Sequence, residues 1–156
     1  MHVGASRRIA GGTRPAVIVV DTSGLLANYD RRDRHNEDVK RILAVPQARV
    51  LSPFVLAELG YLVMRSGGRR AELTVLQDVM RGVYRLEYFS PADVGECASI
   101  IDRYADLDLG LADASIVLLA HRVDCLDILT LDERHFRAVR SINGKPFNIL
   151  PIDTGV

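Results

Sequence analysis

The sequence predicts an α/β fold in which a central, mostly parallel sheet is flanked by helices. Short apolar runs that suit buried strands alternate along the chain with longer segments of helical periodicity. This alternation is typical of a parallel sheet with helices on both faces. The length of 156 residues, with 48% hydrophobic and 26% charged residues, suits one domain with a full-sized core.

The strands are predicted from apolar runs and the helices from the residues that begin and end them. The run AVIVV opens the sheet, and strands are expected at 16–20, 48–51, 84–89, 126–131 and 147–150. Helical segments are expected at 25–29, from 35 or 36 to 46, from 52 to 67, between 68 and 82, from 90 to about 101, at 111–122 and around 136. We therefore expect a single domain over residues 16–153, preceded by a flexible basic arm at 1–15.

Charge and cysteine content argue against several classes of function. The formal net charge is zero, so no global basic field indicates nucleic-acid binding; local arginine clusters suit either phosphate contacts or solvated surface. Cys97 and Cys125 are the only cysteines and form no Cys-x-x-Cys pair, which argues against a zinc site and favours the reducing cytoplasm. No apolar run approaches the roughly 20 residues that span a bilayer, so no membrane partner is expected.

Two predicted strands end in an aspartate. Asp21 closes VIVVD and Asp132 closes ILTLD. In open α/β sheets, binding sites form beyond the carboxyl ends of the strands, so both carboxylates are candidates for a functional site. A helix N-cap is the alternative for each of them. Near Asp132, Thr130 and Glu133 could also form a capping box of their own.

Two further acids lie in predicted helices that are otherwise apolar. Asp113 lies in LADASIVLLAH, early in its helix, where the helix dipole also favours an acid. Glu58 lies mid-helix in SPFVLAELGYLVM, and its neighbours at helical spacing are apolar. We expect Glu58 either to serve a site or to be a buried acid paired with Arg65 or Arg81.

Together the four acids indicate a cation site. Clustered carboxylates repel and raise one another's pKa unless a cation collects them. The four histidines share no ligand spacing and are interpreted as surface or ordinary polar residues, which leaves oxygen ligands and favours Mg²⁺ or Mn²⁺. Such an ion orients water and neutralises phosphate, as in metal-dependent phosphodiester cleavage.

Four segments resemble, in order, the four acidic motifs of PIN-domain ribonucleases. They are VIVVDTSGLLA, SPFVLAELGYLV, DLDLGLADASIVLLAHR and ILTLDERHF. The resemblance is to the VapC-type toxins of bacterial toxin–antitoxin pairs, and it covers residues 17 to about 153. It implies a PIN-like three-layer α/β/α sandwich.

The resemblance also implies a site and an activity. The acidic cluster would consist of Asp21 and Asp113 as direct Mg²⁺ ligands, with Glu58 and Asp132 acting through water or a second ion. Thr22 and Thr130 match positions that support the acids by hydrogen bonding. The implied activity is a Mg²⁺-dependent endoribonuclease (Mn²⁺ being possible) that cleaves single-stranded or loop RNA such as tRNA by attack of metal-activated water. The products would carry a 5′-phosphate and a 3′-hydroxyl. A cytoplasmic homodimer and a cognate antitoxin that covers the site are also implied.

Two other functions compete with this interpretation. A catalytically inert PIN-like module would bind nucleic acid or a partner protein, but all four acids are present in this chain. A phosphoacceptor receiver domain is also doubly wound, and Lys145-Pro146 mimics its Lys-Pro. It requires an acidic pair after its first strand, whereas Thr22 and Ser23 follow Asp21 here, so we reject it.

Overall fold

The centre of the molecule is a parallel five-stranded sheet. The computed structural model describes residues 14–154, and within them the strands are β1 (Val17–Val20), β2 (Ala48–Leu51), β3 (Arg85–Leu86), β4 (Asp127–Leu129) and β5 (Asn148–Leu150). Their order across the sheet is β3-β2-β1-β4-β5, and every pairing is parallel. The order reverses direction at β1, and such a switch point is where α/β sheets bind ligands.

The helices connect successive strands. Within the described residues they are α1 (Thr22–Tyr29), α2 (Asn36–Ala44), α3 (Pro53–Met80), α4 (Pro91–Arg103), α5 (Leu111–Arg122) and α6 (Glu133–Ala138), with 3₁₀ turns at Ala105–Leu107 and Ile152–Thr154. Helix α4 begins with a capping box, in which Ser90 and Asp93 bond reciprocally. The predicted α/β architecture with flanking helices is confirmed.

The sheet is buried because its central strands carry apolar residues on both faces. Ile18, Val19 and Val20 of β1 are fully buried, as are Ile128 and Leu129 of β4. Strands covered on both sides read as continuous apolar runs, which is why β1 was evident from AVIVV. The central position of β1 places the residue that follows it at the middle of one sheet edge.

Several predicted elements differ in extent from the structure. Helix α1 begins at Thr22, earlier than the expected residue 25, and β3 has two residues where six were expected. β3 is an edge strand with one partner, so little pairing extends it. The break expected at Gly67-Gly68 is a kink inside α3, where Gly68 has a φ of 75°.

Two predictions concern the N-terminal arm and membrane spans. The predicted arm at residues 1–15 lies outside the described residues except for Arg14 and Pro15. Among the helices formed by residues 14–154, none combines the length and apolarity that crossing a membrane requires.

Candidate metal centre

The candidate site lies where β1 and β4 end. These strands are neighbours in the sheet, and Asp21 follows β1 directly while Asp132 follows β4 by three residues. Helix α5 contacts β1 and carries Asp113 in its first turn. Because parallel strands end at the same edge, residues distant in sequence converge here.

Asp21 is the most buried acid of the site. It is 5% exposed, and its Oδ2 accepts hydrogen bonds from the Thr130 hydroxyl at 2.7 Å and the Ser23 hydroxyl at 2.9 Å. Burial raises the pKa of Asp21 to about 6, although these two hydrogen bonds lower it. The negative charge of Asp113 adds to the rise. Asp21 occupies the N-cap position of α1 without a side-chain capping bond, so capping does not account for it.

Two hydroxyl groups hold Asp21 in place. The Thr130 hydroxyl also accepts from the backbone N–H of Asp132 at 3.0 Å, which joins the ends of β1 and β4. Ser23, which the sequence interpretation did not include, accepts from the Leu131 N–H at 2.9 Å while donating to Asp21. The Thr22 hydroxyl is buried and makes no hydrogen bond within residues 14–154, so the expected bond to an acid is absent there.

Asp113 is half-buried at the N-terminus of α5. Its Oδ2 accepts from the Gly110 N–H at 3.1 Å, so the expected contribution of the helix N-terminus is present. Burial raises the pKa of Asp113, and the negative charge of Asp132 contributes to the rise. A capping bond alone would lower this pKa. The net rise therefore shows that the surroundings of Asp113 disfavour its ionised form.

Asp132 is the N-cap of α6. Its Oδ1 accepts from the His135 backbone N–H at 3.1 Å, which confirms the capping interpretation. Its Oδ2 lies 2.7 Å from Nδ1 of the His135 ring. The alternative capping box of Thr130 and Glu133 is not formed, because the Thr130 hydroxyl bonds Asp21 and the Asp132 N–H instead.

His135 belongs to the site, and the sequence interpretation missed it. Its ring Nε2 lies 2.8 Å from the Leu107 carbonyl oxygen, so both ring nitrogens face acceptors, and both donate when the ring is protonated. Burial lowers the pKa of His135, but the hydrogen bond to Asp132 and the charge of that carboxylate outweigh it and raise the pKa above its usual value. The signal in the sequence was local: a residue three positions after an N-cap lies beside it.

Glu58 lies in different surroundings from those expected. It is exposed on α3, whose buried residues near it are Val55, Leu59 and Val63, while neighbouring Tyr61 is 59% exposed. The alternative of a buried acid paired with Arg65 or Arg81 is wrong, since none of the salt bridges among the described residues includes Glu58. Helical spacing shows that the neighbours of Glu58 are apolar but not that they are covered, and Tyr61 among them is exposed.

The arrangement suits a divalent cation. Carboxylate oxygens of Asp113 and Asp132 lie within 4.8 Å of each other and of a ring nitrogen of His135, and the charge of Asp113 raises the pKa of nearby Asp21. Carboxylates whose pKa is raised by burial and mutual repulsion are stabilised as anions when a cation joins them. Glu58 is not part of this group of three.

Comparisons with known proteins agree with the geometry. The family model described as PIN domain matches residues 18–142. The chain is 40% identical to Ribonuclease VapC26 of Mycobacterium tuberculosis (strain ATCC 25618 / H37Rv) over 135 residues, which is 86% of this chain and 100% of that protein.

Two crystal structures share the fold. VapC20 of Mycobacterium tuberculosis, a sarcin-ricin loop cleaving toxin, superposes with a TM-score of 0.69 at 23% identity, covering 74% of this chain and 89% of that chain. VapBC2 from Rickettsia felis, bound to a DNA fragment from its promoter, gives 0.61 at 18% identity, covering 85% of this chain and 98% of that chain. The chain therefore belongs to the PIN-domain family, as an endoribonuclease of the VapC toxin type.

Proposed function

We propose that the protein cleaves RNA in a reaction that depends on a divalent cation held by the acids at the ends of β1 and β4. The observation that carries this proposal is the convergence of Asp21 and Asp113, both with raised pKa, beside Asp132. Three carboxylates so arranged destabilise the cation-free protein, and a bound cation relieves that cost.

Each acid has a distinct part in the proposal. Asp21 and Asp113 bind the cation directly, since their ionisation is the most disfavoured without one. Both oxygens of Asp132 are already bonded to His135, so Asp132 acts through water or a second ion. Glu58 is exposed on α3, and we propose that it contributes through water or a second ion.

The cation and the protein divide the chemistry. When bound, the cation supplies a polarised water and neutralises charge on the phosphate, whether it is Mg²⁺ or Mn²⁺. Thr130 and Ser23 keep Oδ2 of Asp21 in one orientation, and Gly110 does the same for Oδ2 of Asp113. The carboxylates are therefore oriented when the protein folds, before RNA binds.

The relatives support a proposal for the substrate and the partners. The name of Ribonuclease VapC26 indicates an RNA substrate, and we propose single-stranded or loop RNA, such as a tRNA loop, for this chain. From the resemblance to VapC-type toxins, which the similar fold of VapBC2 supports, we propose that a cognate antitoxin covers this site and that the protein forms a homodimer. Both cysteines are free thiols, which suits the cytoplasm where such RNA is found.

RNA cleavage with and without a chelator tests the proposal. The wild-type protein should cut RNA with Mg²⁺ or Mn²⁺ and stop when EDTA is added. Equal cutting by wild type and Asp21→Asn would refute the assignment of the cation site. Binding of RNA without any cutting would instead favour the inert PIN-like module.

A further inference from the structure

The His135 side chain connects two segments that belong to different parts of the chain. Its Nδ1 lies 2.7 Å from Oδ2 of Asp132, and its Nε2 lies 2.8 Å from the carbonyl oxygen of Leu107. The side chain is 17% exposed, so solvent competes little for either bond. The ring therefore bridges the N-terminus of α6 and the 3₁₀ turn Ala105–Leu107.

The same turn leads directly to the second acid. Three residues after Leu107, the Gly110 N–H donates to Oδ2 of Asp113 at 3.1 Å. The His135 ring thus bonds Asp132 directly. Through Leu107, it also contacts the segment that holds Asp113. Two carboxylates on separate elements repel, so their spacing depends on such a connection.

We propose that His135 is a positioning residue that sets the spacing between Asp132 and Asp113 and thereby the affinity of the site for a divalent cation. This inference rests on the proposed function. Side chains that orient metal-binding carboxylates typically change metal affinity by about 10-fold to 100-fold when they are removed.

The helix cap does not explain the ring. Oδ1 of Asp132 accepts from the His135 backbone N–H, and that capping bond survives any substitution of the side chain except proline. The ring instead uses Oδ2 and leaves α6 to contact Leu107. Loss of the ring should therefore change the positions of the Asp132 and Asp113 carboxylates more than it changes the stability of α6.

Mn²⁺ binding to the full chain, measured by calorimetry and by the loss of the free-ion EPR signal, tests the inference. His135→Ala should weaken binding about tenfold or more. Asparagine can place an amide N–H where Nδ1 lies, and glutamine can place one where Nε2 lies. Each amide restores one of the two contacts and neither spans both, so His135→Asn and His135→Gln should each recover only part of the affinity.

Matched variants separate the possible outcomes. Arg134→Ala, an exposed neighbour in α6, should bind Mn²⁺ as wild type does, and Asp113→Asn should lose binding. Wild-type affinity in His135→Ala, with binding lost in Asp113→Asn, would overturn the role of His135 and leave the proposed function standing. No Mn²⁺ binding by the wild-type protein would overturn both. Should His135→Ala fail to fold by circular dichroism, His135→Gln decides: affinity equal to wild type would overturn the inference.

Discussion

Asp21 and Glu58 are acids of one proposed site in contrasting surroundings. Asp21 is 5% exposed and held by two hydroxyl groups, whereas Glu58 is exposed on the surface of α3. A buried carboxylate depends on a cation for its charge, but an exposed one is stabilised by water. The comparison indicates that the strand ends, and not α3, form the ordered part of the site.

The largest effect is expected for Asp21. Asp21→Asn removes a direct ligand and several kcal/mol of charge stabilisation, so cleavage should fall at least about a thousandfold. Initial rates on a fluorescent RNA at saturating Mg²⁺ measure it. Without cation, Tm should be unchanged or higher because a repelling buried charge is gone. A variant with reduced Tm would show that Asp21 stabilises the fold rather than the cation.

The second-largest effect is expected in the pH dependence of the free energy of unfolding. The pKa of folded Asp21 is about 6, above the unfolded value of 3.8, so its contribution is full below pH 3.8 and is lost as pH rises through about 6. Without cation, the free energy of unfolding should fall by about 3 kcal/mol over this window. Urea unfolding in EDTA measures it, with Asp21→Asn as the control that lacks this decline. If the free energy of unfolding fell equally with pH in the two proteins, the raised pKa of Asp21 would be contradicted.

Two threonines provide a matched pair for the ordering of Asp21. Thr130→Val removes the hydroxyl that bonds Asp21 and the Asp132 N–H, so Mn²⁺ affinity should fall about tenfold. Thr22→Val removes a buried hydroxyl without a hydrogen bond among the described residues, so affinity should hold and Tm should stay or rise. Calorimetry and thermal unfolding measure both. Equal Mn²⁺ affinity in the two variants would show that Thr130 does not position Asp21.

The smallest effect is expected for Glu58. Glu58→Gln should slow cleavage about tenfold, because an acid acting through water contributes less than a direct ligand. Its Tm should stay within about 2 °C of wild type, since exposed substitutions usually change stability by at most about 0.5 kcal/mol. RNA cleavage and thermal unfolding on the same sample measure both. A loss as large as that of Asp21→Asn would make Glu58 part of the ordered site and remove the contrast.

Local sequence signals predicted much of the fold and part of the site. The apolar run of β1 and the Ser90–Asp93 capping box determine structure within a few residues, so each could be identified from sequence. The position of Asp21 and Asp132 after strands was evident for the same reason. The exposure of Glu58 was not, because helical spacing shows which residues share a face and not whether that face is covered.

The sequence by itself determined which segments are strands and helices and which of them end in an acid, since both depend on neighbours along the chain. Only the tertiary structure decided that Ser23 and Thr130 share Asp21, that His135 joins Asp132 to Leu107, and that Glu58 faces solvent. Thr130 lies 109 residues from Asp21 and Leu107 lies 28 residues from His135. Contacts over such separations arise from the packing of strands and helices, which brings together side chains that no local pattern relates.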